Sequence, residues 1–292
     1  NHLREQGKYE SAIEICSEVL QEGGAAFGES SINLLPTYFC LADSYLGLNK
    51  LKKAEEFLIA ASWNILQNQS DQEQKRAEGI EERSIQSSHL SHSNISEYQS
   101  RLHKLFGKLF AAQHRYEDAI NKLTQNIYIE SQNGGPENIN LTSSYYLMGE
   151  IFTQMKRSTE ANSFYAKIVE MWANKLNYFE EMIRKGETDF MVDIDEIQIE
   201  NALMTLRKIL SHYESELGDH HQLVGDCKYV IGLIFKFSGN NGICLDYMRK
   251  ALETYSYTLG DHHQRTVNTM TLVRDLEEVM QSPLKGNSLV AQ

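Results

Sequence analysis

The sequence has little proline: three residues in 292, with two tryptophans and four cysteines. So little proline fits long helices better than a strand-and-turn sandwich, which needs frequent turns. The cysteines, Cys16, Cys40, Cys227 and Cys244, are far apart and form no C-x-x-C. That spacing argues for reduced, buried thiols rather than a disulfide framework. A surplus of positive charge is also missing, since the net charge is −12. Nucleic-acid binding needs clustered Lys and Arg to replace counterions, so that class is disfavoured, as is a generally basic membrane-facing surface. No apolar run approaches the eighteen or more residues that a membrane helix requires.

Catalytic signatures are missing as well. Gly23-Gly24 and Gly134-Gly135 lack the Lys-Ser/Thr that follows in a phosphate loop. There is no G-x-S-x-G elbow and no H-E-x-x-H. Acidic runs such as Glu180-Glu181 and Asp193, Asp195 and Glu196 read as solvated faces. His89 and His92 have no Cys or acidic partner at ligand spacing. The expectation is a protein that is not an enzyme, with no catalytic residues, no cofactor and no bound metal.

What the sequence does have is a period. Leu217-Gly218-Asp219-His220-His221-Gln222 recurs unchanged 42 positions later as Leu259-Gly260-Asp261-His262-His263-Gln264. The same step separates Tyr9-Glu10-Ser11-Ala12 from Leu51-Lys52-Lys53-Ala54, and Tyr116-Glu117-Asp118-Ala119 from Ser158-Thr159-Glu160-Ala161. Inside one repeat, Tyr38, Leu41, Ala42 and Tyr45 trace one helical face, and Leu51, Ala54, Leu58 and Ala61 trace another. Asn49 and Lys50 fall in the turn between them. Small residues at Ala42 and Ala54 would let two helix backbones approach, and a larger side chain there would cost about 1–3 kcal/mol by overpacking. The rule continues in Phe106, Gly107 and Phe110 against Tyr116, Ala119 and Leu123. It returns in Met148, Gly149 and Phe152 against Ala161, Tyr165 and Ile168, and in Ile231, Gly232 and Phe235 against Cys244, Met248 and Ala251.

This placement of small residues resembles the tetratricopeptide repeat, with helices or loops longer than its usual 34 residues; HEAT and armadillo arrays, with periods of 40–47, are the structural rivals. The expected fold is all-α, a right-handed tetratricopeptide-type α-solenoid of about six helical hairpins with a terminal capping helix at 265–280. The expected organisation is repeats at 1–66 (the first of them truncated), a polar insertion at 67–99, central repeats at 100–176, divergent repeats and the capping helix at 177–282, and a tail at 283–292. The insertion reads as a flexible linker or as polar extensions of the flanking helices. An irregular connection is expected around Lys185-Gly186-Glu187, a stop at Pro283, and a loose end over 285–292. In each Gly-Asp-His-His element, Gly is expected to end one helix in the left-handed region and Asp to N-cap the next, in preference to a histidine metal site.

In such arrays the first helix of each hairpin lines a groove. Residues off its core stripe are then the candidates for partner contact: Phe39, Asp43 and Leu46, then Arg101, Lys104 and Lys108, then Tyr146, Glu150 and Thr153, then Tyr229, Leu233 and Lys236. Arg101, Lys104 and Lys108 share one face, a basic patch in an acidic chain. It would suit an acidic helix or tail; the plainer reading is a solvated face.

Longer strings carry a more specific resemblance. They are Leu34-Leu35-Pro36-Thr37-Tyr38-Phe39-Cys40-Leu41-Ala42-Asp43-Ser44-Tyr45-Leu46-Gly47-Leu48, with Lys53-Ala54-Glu55-Glu56-Phe57-Leu58 and Ala61-Ser62-Trp63. Further along come Tyr116-Glu117-Asp118-Ala119, Asn126-Ile127-Tyr128-Ile129-Glu130-Ser131 and Phe164-Tyr165-Ala166-Lys167-Ile168-Val169-Glu170-Met171-Trp172. These resemble the zinc finger MYND domain-containing protein 12 family over about residues 9 to 176, and more weakly beyond. The resemblance implies a cilium or flagellum axoneme, with cytoplasm before assembly. It also implies protein partners of the kind of tetratricopeptide repeat protein 29, inner-arm dynein (heavy chain or tail) and microtubule-associated axonemal proteins. The MYND finger of that family is not among these residues, so no zinc is implied for them. Two other readings stay open: a cytoplasmic cargo or assembly adaptor resembling kinesin light chain, suggested by the 42-residue step, and a regulatory repeat module beside a methyltransferase.

Overall fold

The computed structural model describes residues 8–28, 30–77, 85–186 and 195–281, with side chains omitted at 72, 75–77 and 85–94. Among the described residues the chain is all-α and of the tetratricopeptide type, with eleven α-helices and two short 3-10 turns. In order they are α1 (Tyr9–Phe27), α2 (Leu35–Gly47), α3 (Leu51–Ala77), α4 (Ile85–Ala112), α5 (Tyr116–Gly134) and α6 (Thr142–Gln154). Then come α7 (Ser158–Lys185), α8 (Glu196–Leu217), α9 (Gln222–Phe237), α10 (Asn241–Leu259) and α11 (Gln264–Gln281). The chain divides into two compact units, Asn1–Ser158 and Thr159–Gln292. The sequence segments follow the repeat period, whereas this boundary follows packing and falls inside the segment read as central repeats.

In the first unit, α2 packs on α1, α3 and α4, and α5 packs on α4 and α6. Small residues explain the close approach. A Cβ at Gly107 would lie 2.7 Å from Leu123 Cγ and 3.5 Å from the Ala119 carbonyl oxygen, so α4 and α5 touch where the repeat pattern expects them to. A Cβ at Gly47 would meet the Tyr9 ring at 2.5 Å. Ala42, Ala54, Leu58 and Ala61 are fully buried in one core with Leu35, Leu105 and Leu109. In the second unit α9 packs on α8 and α10, and α11 packs on α10. Gly232 leaves room there for Met248, whose Cε would be 2.8 Å from an added Cβ. Met148, Gly149 and Phe152 are buried, as are Ala161, Tyr165 and Ile168.

The turn inside each hairpin is one structure used repeatedly. Asn49, His114 and Lys156 have φ of 57°, 60° and 59°, and Gly239 has 74°. In each, that residue's N–H donates to the carbonyl three back (Asn49 to Leu46, 2.9 Å; Gly239 to Lys236, 3.0 Å). The next N–H reaches the carbonyl five back (Lys50 to Tyr45 and Asn240 to Phe235, both 2.8 Å). This is the Schellman pairing that satisfies the last carbonyls of a helix. Arg115 and Arg157, which follow two of these turns, lay their guanidinium groups over Phe110 at 4.3 Å and Phe152 at 4.8 Å.

The Gly-Asp-His-His elements correct one expectation. Gly218 and Gly260 do take positive φ, 82° and 85°, but with ψ near 160°, a region essentially reserved for glycine. The N-cap of α9 is His221, not Asp219. Its Nδ1 accepts from the Leu223 N–H at 3.2 Å, and His263 Nδ1 accepts from the Arg265 N–H at 3.2 Å. The glycine opens a one-turn loop whose first carbonyl is bonded by the second histidine, His221 N–H to Gly218 O at 3.2 Å. That loop places the fourth residue of the element, and not the second, at the helix start. Ser31 and Asn138 hold the same place in the first unit, before two Ile-Asn-Leu 3-10 turns.

Of the 67–99 stretch, residues to 77 continue α3 and residues from 85 belong to α4, so it forms polar extensions of the flanking helices as far as it is described. His89 and His92 fall where side chains are not described. The second helix α7 runs on past the usual repeat length and buries Met171, Trp172, Leu176 and Phe179 there. It ends at Lys185, with Gly186 at φ 79°. Asp195 then caps α8 with a full capping box to Gln198, and Ala202, Leu206 and Ile209 face the core. The final helix, α11, runs through the expected capping segment. Glu187, Pro283 and 285–292 lie outside the described residues.

Candidate partner-binding surface

Three of the first unit's cations share one face of α4. The helix buries Leu102, Leu105 and Leu109 against the core, so the 3.6-residue turn puts Arg101, Lys104 and Lys108 on a neighbouring face. All three are half-buried. Lys108 Nζ pairs with Asp43 Oδ1 of α2 at 3.0 Å. Lys104 Nζ donates to the hydroxyl of Ser143 in the first turn of α6. Arg101 sits over the ring of Phe39, 5.3 Å from its centroid. The basic face therefore ties α4 to both α2 and α6. Leu46, Tyr146 and Glu150 are half-buried on α2 and α6, and Thr153 is exposed.

Crowding has an electrostatic consequence. The Lys104 amine falls well below the usual lysine range, to about 8. Burial is the largest cause, and the charges of Lys108 and Arg101 add to it, while Glu130 and Asp43 act the other way. On the adjoining turn, burial and then Lys122 lower His103 to about 4, and its Nδ1 is buried without a hydrogen-bond partner among the described residues.

Two expected contact residues are not accessible. Phe39 is fully buried and Leu233 is 3 % exposed. Phe39 packs on Tyr98 of α4 with ring centroids 6.2 Å apart. A first helix in an array touches its own second helix and the next first helix, so its apolar arc is wider than one stripe. In α9 the buried apolar arc is likewise wider than one stripe: Val230, Ile231, Leu233 and Ile234 are all buried.

In the second unit, Lys236 is ion-paired with Glu180 of α7. Tyr229 is half-buried, and its hydroxyl is pushed up in pKa by burial and by Glu180. Nearby, Asp226 accepts from the Tyr255 hydroxyl at 2.7 Å and from Arg265 at 2.5 Å. These residues adjoin a cavity of about 570 Å³ whose walls include Asn174, Asn177, Tyr229 and Asn268. Burial raises the Cys227 thiol strongly and takes Cys244 to about 11, which keeps both from the reactive thiolate form.

A polar joint that sequence reasoning missed lies beneath the basic face. Asn126 of α5 is 1 % exposed and donates to the Ser100 carbonyl at 2.9 Å and the Ser100 hydroxyl at 2.7 Å. Its own carbonyl oxygen accepts from Ser144 Oγ at 2.5 Å. The signal available was an asparagine on the apolar face of an otherwise regular second helix.

The repeat pattern, the close glycine contacts and the hairpin turns define a tetratricopeptide-type helical-repeat protein, the class that serves as a scaffold for protein–protein contacts. A family model described as "Tetratricopeptide repeat" matches residues 142–172, so the chain contains such a repeat. Among solved structures, the chain is similar to the crystal structure of BtubC (BKLC) from P. vanneervenii. The two are 14% identical, with a TM-score of 0.49, covering 97% of this chain and 98% of that one.

Proposed function

We propose that this chain is a non-catalytic adaptor of motile cilia that docks or organises an axonemal inner dynein arm, gripping an acidic segment of a partner on the α4 face. The observation that carries the docking is the set of three cations on one face of α4, flanked by α2 and α6, in a chain of net charge −12. Each exposed ion pair with a partner contributes about 0.2–1 kcal/mol, so several together set register and preference more than raw affinity. The ciliary placement is supported by the strings resembling the zinc finger MYND domain-containing protein 12 family, such as Phe164-Tyr165-Ala166-Lys167-Ile168-Val169-Glu170-Met171-Trp172. It carries with it a partner like tetratricopeptide repeat protein 29, inner-arm dynein and microtubule-associated axonemal proteins.

The test is retention of tagged chain on demembranated axonemes in high salt. The wild type should stay bound and bring down inner-arm dynein, and Arg101→Glu with Lys104→Glu should release it. Retention that ignores the double reversal sinks the docking face. Full solubility of the wild type would favour the second reading, a cytoplasmic cargo or assembly adaptor, which the 42-residue recurrence of Leu217-Gly218-Asp219-His220-His221-Gln222 favours.

A further inference from the structure

Lys104 is chemically distinct from the two cations beside it. Arg101 lies against an aromatic ring and Lys108 has a carboxylate at 3.0 Å. Lys104 donates to the neutral hydroxyl of Ser143, its one hydrogen-bond partner among the described residues. The charged groups facing it are Asp43 from α2, Arg101 and Lys108 from its own helix, and Glu130 from α5. The hydroxyl from α6 adds no charge. Glu130 is itself engaged, accepting from Ser100 Oγ at 2.7 Å, and Asp43 is held by Lys108. A half-buried ammonium group between two like charges thus lacks a carboxylate of its own. The free site is suited to accepting one from outside.

We infer that a partner's acidic side chain seats on the Lys104 amine beside Ser143. The inference rests on the docking reading above and adds its anchor and its pH response. The physical chain is short. In the free chain, burial and then the neighbouring cations disfavour the ammonium form and bring the amine down to about 8. A carboxylate brought to hydrogen-bond distance favours the charged form and restores the amine toward the ordinary lysine range. The bound state therefore holds more protons than the free state. Affinity is complete below the free-chain value and is lost as pH rises through it toward the bound value.

The experiment uses the full chain and a fluorescein-labelled peptide of alternating glutamate and alanine, at constant low ionic strength. Fluorescence anisotropy should show binding about eightfold weaker at pH 9 than at pH 7, because glutamate does not titrate in that range. Lys104→Arg keeps a permanent charge, so its affinity should be flat across the same interval. Calorimetry of the wild type in phosphate and in Tris at pH 8 should show uptake of about half a proton per peptide bound, a readout that needs no variant to fold. Binding that is flat with pH and takes up no proton overturns the inference and leaves the docking face standing. So does a Lys104→Arg profile that falls like the wild type, which would put the titrating group elsewhere. Absence of peptide binding at every pH, or binding indifferent to Arg101→Glu with Lys108→Glu, sinks the docking reading itself.

Discussion

The two units use the same hairpin but put their polar groups to different uses. In the first, a buried amide, Asn126, joins Ser100 and Ser144, and a lysine on the face above is held by a neutral hydroxyl. In the second, the named cations meet carboxylates: Lys236 with Glu180, Lys228 with Glu214 at 3.3 Å, and Arg265 with Asp226. The buried positions of α9 there are apolar or thiol, including Val230, Ile231 and Cys227. Hydroxyl and amide joints leave positive charge on the first unit's face without internal neutralisation at Lys104. Internal ion pairs consume it in the second. A repeat can thus keep its small-residue spacing while its surface changes from recruiting charge to cancelling it.

The largest effect expected from breaking this contrast is at Asn126. Asn126→Leu keeps the branched shape of the side chain but removes three hydrogen bonds and leaves the Ser100 and Ser144 hydroxyls buried without that partner. The cost should be about 3 kcal/mol, since unsatisfied buried groups are penalised more than a bond is worth. Tyr255→Phe in the second unit removes one bond, and Asp226 keeps Arg265, so its cost should be about 1 kcal/mol. Chemical denaturation gives the totals, and hydrogen exchange should rise across α4, α5 and α6 for the first variant. Equal costs for the two variants would erase the distinction between the joints.

How far the sequence reaches is visible residue by residue. Gly107 and Ala119, Gly232 and Met248, and Ala42 and Ala54 were readable because a small residue at fixed helical spacing has few other uses. The period places a residue around its own helix, but says nothing of the helix that comes alongside. Phe39 was therefore assigned to the groove although α4 covers it, and Leu233 was too. Of the candidate face, Arg101, Lys104 and Lys108 were legible as a stripe. Their partners Asp43 and Ser143, 65 and 39 positions away, depend on how first helices pack side by side. The caps failed for a local reason: Asp is the commoner N-cap, yet the Gly218 loop carries the chain two residues further before the helix begins.

That loop gives a smaller test. His221→Ala should cost about 1 kcal/mol and His221→Asn little, because the cap needs only a short acceptor for the Leu223 N–H. Asn138→Ala should cost a similar amount in the first unit, where Asn138 bonds the Asn140 N–H at 3.1 Å. Asp219→Ala should stay within about 0.5 kcal/mol, as for a surface substitution away from special features. A larger loss at Asp219 than at His221, measured by denaturant midpoint, would return the cap to the aspartate.

The smallest effect lies in the hairpin turns, where the units again differ by one residue type. The first unit places Asn49, His114 and Lys156 at positive φ, and the second places Gly239 there. A Cβ in the left-handed region costs about 1–2 kcal/mol. Glycine escapes that strain but loses more backbone freedom on folding, by about 0.5–1 kcal/mol. The two terms nearly offset, so Lys156→Gly should stabilise by about 0.5 kcal/mol and Gly239→Lys should destabilise by a similar amount. The carbonyl bonds of the turn, Arg157 N–H to Phe152 O and Asn240 N–H to Phe235 O, are backbone in both and should survive either change. Stability measured for the two exchanges should therefore be nearly equal and opposite. If Lys156→Gly destabilises, the Lys156 side chain makes a contribution to the turn greater than its backbone strain, and the four turns are equivalent in geometry but not in energy.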